Sequence, residues 1–208
     1  MRRKVFPDVH TQYIKADFSR QEFCKWDEIS DWIDKGNSKT EEIIFINTTS
    51  TIEPIEAIGE WGVVENISIN VTSQVCLIDS IVYAALKDDK PLRIIHMDSG
   101  AAYRPIGGWG LYCSAKAYMS MFLRVLKTEN PGIKIVLFDP GTVNTNMQRK
   151  IRESQCPSFK EVMQFRADYF NGKLNSPDDV AEYIISSYIE RWNENANMKG
   201  KYEADSVL

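Results

Sequence analysis

A tyrosine and a lysine lie four residues apart in the run Trp-Gly-Leu-Tyr-Cys-Ser-Ala-Lys, as Tyr112 and Lys116, within a segment whose apolar spacing is helical. In a helix, positions i and i+4 share one face, so a phenol and an ammonium would stand one turn apart. Such a pair suits proton donation: free tyrosine titrates near ~10, and an adjacent cation favours its ionised form. The same spacing also describes an ordinary surface pair. It occurs three times, at Tyr112/Lys116, Tyr83/Lys87 and Tyr169/Lys173, so spacing alone selects none of them.

Context separates the three. Thirteen residues before Tyr112 stands Ser99, just past an apolar run with the length and β-branched content of a buried strand; the equivalent positions for the other pairs are Asn70 and Cys156. In open α/β sheets, ligands gather outside the carboxyl ends of strands. The next strand also ends in a special loop, Asp-Pro140-Gly141-Thr-Val143-Asn-Thr145. One site could thus collect groups from two strand ends and a helix.

The elements that must position these groups follow a regular order. Residues 20–34 carry Phe23, Trp26, Ile29 and Ile33 at helical spacing, with Gly36 as a stop. Residues 43–47 form a first apolar burst. Residues 61–87 form a long amphipathic run with Val64, Ile67, Val71, Val75, Ile78, Val82 and Ala85 on its inner face. A second strand covers 92–98, a helix 109–129 and a third strand 133–138, which Asp139-Pro-Gly closes. Helices are expected at 158–170 and 176–192, the second opened by Ser-Pro-Asp-Asp, and a short strand at 199–204. Alternating strands and helices predict parallel βαβ units with helices on both faces, in one domain spanning 1–208.

Taken together, Ser99, Tyr112-Cys-Ser-Ala-Lys116 and Pro140-Gly141-Thr-Val143-Asn-Thr145 resemble the catalytic core of the short-chain dehydrogenase/reductase family. The run from Asp98 to Lys116 is most similar to its benzil reductase and sepiapterin reductase branch. The resemblance implies a Rossmann-like doubly wound parallel sheet and reduction of a ketone or diketone by hydride from NADPH. It implies that Tyr112 donates the proton, Lys116 lowers the tyrosine's pKa and meets the nicotinamide ribose, and Ser99 holds the carbonyl oxygen. Asn70, in Ser-Ile-Asn-Val-Thr, matches the family's water-holding asparagine. Thr145 would meet the nicotinamide carboxamide, beside Pro140, Gly141 and Val143. Arg2 matches residues that contact the 2′-phosphate of NADP, Asp17 and Phe18 match the adenine neighbourhood, and Asn47 fits the strand-end asparagine. A homodimer through the helices at 61–87 and 109–129 is the implied assembly.

Two departures accompany the resemblance. The glycine-rich turn that receives the pyrophosphate is not found, and the chain is expected to begin just after the family's second strand, an N-terminally truncated form of the fold. The only glycine cluster, Gly107-Gly108-Trp-Gly110, reads as a flexible substrate-side loop. Where the family has Asn-Asn-Ala-Gly, this sequence has Asn47-Thr-Thr-Ser50, bulkier at the last two positions.

The bulk properties narrow the remaining classes. With 208 residues, 43% hydrophobic and 26% charged, the chain has the composition of a globular domain. A net charge of −4 and one short basic run, Arg2-Arg3-Lys4, disfavour nucleic-acid binding. The cysteines (Cys24, Cys76, Cys113 and Cys156) are scattered singly and His10 and His96 lie far apart, so neither a disulfide framework nor a zinc site is expected. No apolar run is read as a membrane span, and a cytoplasmic protein acting on a small carbonyl substrate is expected. A reading of another class, a non-catalytic remnant or interaction subunit of the same family, stands beside it.

Overall fold

A computed structural model describes residues 16–19, 42–56 and 62–193. Three apolar runs form parallel strands: β1 (Ile43–Asn47), β2 (Leu92–Met97) and β3 (Lys134–Phe138), paired in that order. The register sets Ile44 opposite Arg93 and Arg93 opposite Lys134, and brings the three carboxyl ends, Asn47, Met97 and Phe138, to within one residue of one another, with Asn47 opposite His96. The expected strand boundaries agree to within a residue. The expected helix at 20–34, the strands around 13–16 and at 199–204, and Arg2 lie outside the described residues, apart from Ala16.

Strand alternation sends successive side chains to opposite faces. On one face Leu92, Ile94 and Ile135 pack against Ile78, Val82 and Ala85 of α1 (Val63–Lys87) and Met119 and Leu123 of α2 (Gly110–Glu129). On the other, Ile95, Val136 and Phe138 pack against Val180, Ile184 and Tyr188. The last three belong to α5 (Pro177–Ile184) and the π turn Ile185–Ile189 that continues it. Ser176 caps α5 by accepting from the Asp179 N–H, with Pro177 at its first turn, as the Ser-Pro-Asp-Asp signal predicts. Ile94 and Leu123 are fully buried, and each such side chain stabilises the fold by roughly 1.5–3 kcal/mol. The partly exposed Arg93–Glu42 pair at 2.6 Å contributes at most ~1 kcal/mol, so apolar packing holds the layers together.

The amino-terminal half of α1 departs from the expected inner face. Val64 is 77% exposed and Ile67 43%, while Asn66, Ser68, Asn70, Ser73 and Gln74 are buried. A π turn at Ser68–Thr72 widens the helix there and rotates the following residues. This end of α1 also borders the loop after β1, whose backbone groups need polar partners. By length and composition α1 could cross a bilayer, contrary to the sequence expectation; here its carboxyl-terminal half is a core helix on the sheet.

Two shorter helices complete the carboxyl-terminal part: α3 (Asn146–Glu153), which periodicity does not announce, and α4 (Val162–Phe170), shorter than the expected 158–170.

Candidate active site

The strand ends and the start of α2 bring three of the expected residues together. Ser99 follows β2 in extended conformation and caps the turn Gly100–Ala102, its Oγ accepting from the Ala101 N–H at 3.2 Å. Tyr112, in the first turn of α2, is 8% exposed, with Trp109 edge-on at 5.8 Å and Ile52, Ile106, Ile151 and Phe159 in the same cluster. Lys116, one turn on, is also buried. Its Nζ donates to the Met97 carbonyl at 2.6 Å and stands 5.7 Å from the centre of the Tyr112 ring.

The electrostatics correct one expectation. Burial pushes the Tyr112 phenol up to about 12; the Ser99 and Ser50 hydroxyls on it pull the other way, and the Asp139 and Asp98 charges add to the rise. The phenol is thus raised, where lowering was anticipated. Burial itself brings the Lys116 ammonium down to about 8, against the attraction of Asp98 and Asp139, and its proton is directed at a backbone carbonyl. The phenol therefore stays a proton donor throughout the neutral range. Cys113 packs beside Tyr112's cluster, and burial raises its thiol, which leaves it a packing residue.

Asn70 has a task that sequence reasoning did not foresee. Its Oδ1 accepts from the Thr51 N–H at 2.8 Å and from Ser50 Oγ at 3.1 Å, and its Nδ2 donates to the Thr51 carbonyl at 2.8 Å and to Asn66 Oδ1 at 3.1 Å. The side-chain amide thus pins the loop after β1 through Ser50 and Thr51, and is itself held by Asn66 one turn back on α1. Gln74, one turn on, donates to the Thr49 and Ile69 carbonyls and accepts from Asn47 Nδ2 at 2.8 Å. Asn47 Nδ2 also lies 3.0 Å from His96 Nδ1. Asn47 is thus buried in a polar ladder behind the strand ends. Ser50, a residue the pattern marked only as too bulky, is delivered by this ladder onto Tyr112. Its hydroxyl and that of Ser99 converge on one phenol.

The loop after β3 is held equally firmly. Gly141 takes a φ of 66°, its N–H donating to Asp139 Oδ1 at 2.9 Å. Asn175 donates through Nδ2 to the Pro140 carbonyl at 2.8 Å, while its backbone exchanges hydrogen bonds with Thr142 and Asn144 around Val143. Thr145 caps α3, its Oγ1 accepting from the Gln148 N–H at 3.4 Å, which leaves its O–H able to donate. Asp17 is exposed and accepts from the Ser19 N–H and hydroxyl. The Phe18 carbonyl accepts from Ser68 and Ser73 Oγ, which docks this segment against α1.

The glycine cluster is closely packed rather than flexible. A Cβ on Gly107 would lie 2.1 Å from the Ser158 carbonyl oxygen, and Gly108, at φ 78°, sits against Cys156 and Phe159. These contacts seat the loop before α2 on the 153–158 segment. That segment, with residues 53–56 and Lys150, lines an open groove.

Lys116, Tyr112 and Thr145 supply a cation, a hydroxyl and a second hydroxyl donor at the strand ends, a set that fits the nicotinamide and ribose of a dinucleotide. Among the described residues, no glycine-rich strand-to-helix turn of the kind that cradles a pyrophosphate is present.

A parallel sheet covered by helices on both faces, with reactive side chains at its carboxyl edge, defines a Rossmann-like α/β fold. The chain belongs to the short-chain dehydrogenase family, whose model matches residues 6–156. It is 36% identical over 141 residues to benzil reductase ((S)-benzoin forming) of Bacillus cereus, covering 66% of this chain and 57% of that protein. With the enzyme of the same name from Bacillus subtilis it shares 31% over 163 residues, 75% of this chain and 67% of the relative. Sepiapterin reductase of Bos taurus is 30% identical over 138 residues, 60% and 49% of the two chains. The chain therefore spans between about half and two thirds of these relatives' lengths. A short-chain dehydrogenase/reductase from Saccharomyces cerevisiae superposes with a TM-score of 0.74 at 22% identity, over 89% of this chain and 73% of that one. This likeness bears on the fold.

Proposed function

We propose that this protein is an NADPH-dependent reductase that converts the carbonyl of a small ketone or diketone to an alcohol. The observation that carries the reading is the convergence of Ser99, Ser50 and the start of α2 on the buried Tyr112 phenol, with Lys116 behind it. The family match and the names of the benzil and sepiapterin reductases support it.

When bound, the nicotinamide supplies hydride to the carbonyl carbon. The protein's own groups manage the oxygen. The Ser99 hydroxyl holds it and offsets the negative charge that develops there, and Tyr112 gives it the phenolic proton. A phenol raised in this way stays protonated in the neutral range and gives its proton to the oxygen as that oxygen becomes basic. The phenolate left behind is met by the Ser99 hydroxyl and by the Lys116 ammonium. The asparagine expected to hold a relaying water, Asn70, acts here through Ser50, which it positions. Lys116 and Thr145 would hold the nicotinamide ribose and carboxamide ends. Asn47 would support the site from behind through Gln74. Pro140, Gly141 and Val143 would form the backbone wall, with Asp17, Phe18 and Arg2 in the region of the adenosine. The groove along residues 53–56 and 153–158 would admit the substrate.

The reaction is placed in the cytoplasm, where scattered thiols remain reduced. The assembly is a homodimer through α1 and α2, whose outer surfaces expose Val64, Ile67, Tyr118, Met121 and Val125. The test is NADPH consumption with a panel of ketones and 1,2-diketones. Turnover of at least one substrate is expected, with a loss on the order of 10²–10⁴-fold in Tyr112→Phe. Equal turnover in the wild type and the variant would refute the assignment.

A further inference from the structure

One buried acid has no part in the chemistry above. Asp98, directly after β2, is 6% exposed, and its backbone N–H donates to the Phe138 carbonyl at 2.8 Å, which locks it beside β3. Oδ2 accepts from the Tyr103 hydroxyl at 2.7 Å. That hydroxyl is tied in turn to Ser120 Oγ at 2.9 Å and Arg124 Nη2 at 3.1 Å. Oδ1 is buried with no hydrogen-bond partner. A carboxylate oxygen left in this way is costly unless a cation compensates it.

The buried cation at hand is Lys116. Its Nζ is held at 2.6 Å by the carbonyl of Met97, the residue immediately before Asp98. Its other charged or titratable neighbours are His96 on β2, Asp139 after β3 and Tyr112 on its own helix. His96 is buried and neutral, and Tyr112 is a neutral phenol, so neither supplies a counter-charge. Asp139 is exposed and its Oδ1 is engaged by the Gly141 N–H. Water screens an exposed charge more than a buried one. Of the two carboxylates that act on Lys116, Asp98 is therefore the one placed to act strongly.

We propose that Asp98 is a positioning residue of this site: its carboxylate, anchored by Tyr103, is the fixed counter-charge that keeps the Lys116 ammonium protonated at the end of β2. The proposal deepens the reductase reading, which needs Lys116 as a cation, but it concerns two groups of this chain and is testable without turnover. The two charges stabilise one another. Lys116 resists the loss of its proton because Asp98 is ionised, and Asp98, whose carboxyl burial raises, is helped back toward the ionised form first by the Tyr103 hydroxyl and the Ser99 backbone and then by the Lys116 charge.

The test is an NMR titration of the Lys116 side chain, assigned by its disappearance in Lys116→Met, in the wild type, Asp98→Asn and Asp98→Ser. The wild-type midpoint is expected at about 8. In both neutral variants it should fall by about one pH unit or more, whereas Asp139→Asn should move it less. The reciprocal measurement follows the Asp98 carboxyl carbon, which should titrate higher in Lys116→Met, since coupling between two sites is mutual. That second readout retains Asp98, so it decides the question if both Asp98 variants fail to fold. An unchanged Lys116 midpoint in either folded Asp98 variant, or an unchanged Asp98 midpoint in Lys116→Met, overturns the proposal. Absence of NADPH-dependent turnover would refute the reductase reading and leave these midpoints standing.

Discussion

His96 ties acid sensitivity to the buried ladder behind the site. Its ring is 1% exposed, on the helix-covered face of β2, with Nδ1 3.0 Å from Asn47 Nδ2 and Nε2 without a partner. Burial, and secondarily the charge of Lys116, lowers it from 6.5 to about 3. The folded chain therefore keeps His96 neutral over a range in which the unfolded chain protonates it. A group depressed in this way contributes stability that is present above its unfolded value and lost as pH falls toward its folded value. Between pH 7 and pH 5 the loss amounts to about 2 kcal/mol, and by pH 3 to about 4 kcal/mol. Urea unfolding of the wild type and of His96→Gln at these pH values isolates the contribution. Asp98, which shifts in the opposite sense, is common to both proteins and cancels in the difference. The wild type should lose about 2 kcal/mol more than the variant on going from pH 7 to pH 5. Parallel pH profiles for the two proteins would refute the account of a buried neutral imidazole.

Other consequences are equally direct. Asn70→Ala removes a side chain that makes four hydrogen bonds and strands both backbone groups of Thr51. It should cost about 3 kcal/mol in urea unfolding, and a loss below ~1 kcal/mol would mean the loop is held by other contacts. Gly107→Ala drives a Cβ to 2.1 Å from the Ser158 carbonyl and should destabilise by roughly 1–3 kcal/mol. Gly132→Ala, whose Cβ would meet nothing within 4 Å, should stay within about 0.5 kcal/mol of wild type. Equal thermal midpoints for the two glycine variants would show that the loop yields freely.

The strands were legible because residues 43–47, 92–97 and 134–138 are short bursts of β-branched and other apolar residues, long enough for a buried strand and too short for a helix. Ser99, Tyr112 and Lys116 were legible because a helix of known phase starts close to the end of a strand, which constrains where they meet. The inner face of α1 was misread at Val64 and Ile67. Hydrophobic periodicity assumes that the inward side is apolar, and here the inward residues are Asn66, Asn70 and Gln74, committed to the backbone of a neighbouring loop. Helix α3 escaped notice because Asn-Met-Gln-Arg-Lys-Ile-Arg-Glu offers only Met147 and Ile151 as an apolar pair; Thr145 was the available cap signal. Ser50 and Asp98 come from loops without periodicity. Their roles depend on tertiary neighbours, Asn70 for one and Tyr103 for the other, that lie at no characteristic spacing. The Tyr112 phenol is raised, where the sequence led to an expectation of lowering, for a related reason: spacing carries no information about burial, and burial is the largest influence on it.

The most direct test of the central claim is a titration of the purified chain with NADPH, followed by nicotinamide fluorescence, in the wild type and in Lys116→Met. The account predicts saturable binding that weakens markedly when the Lys116 ammonium is removed. A folded wild-type chain with no saturable change, or one that binds NADPH equally well without the lysine, would contradict it.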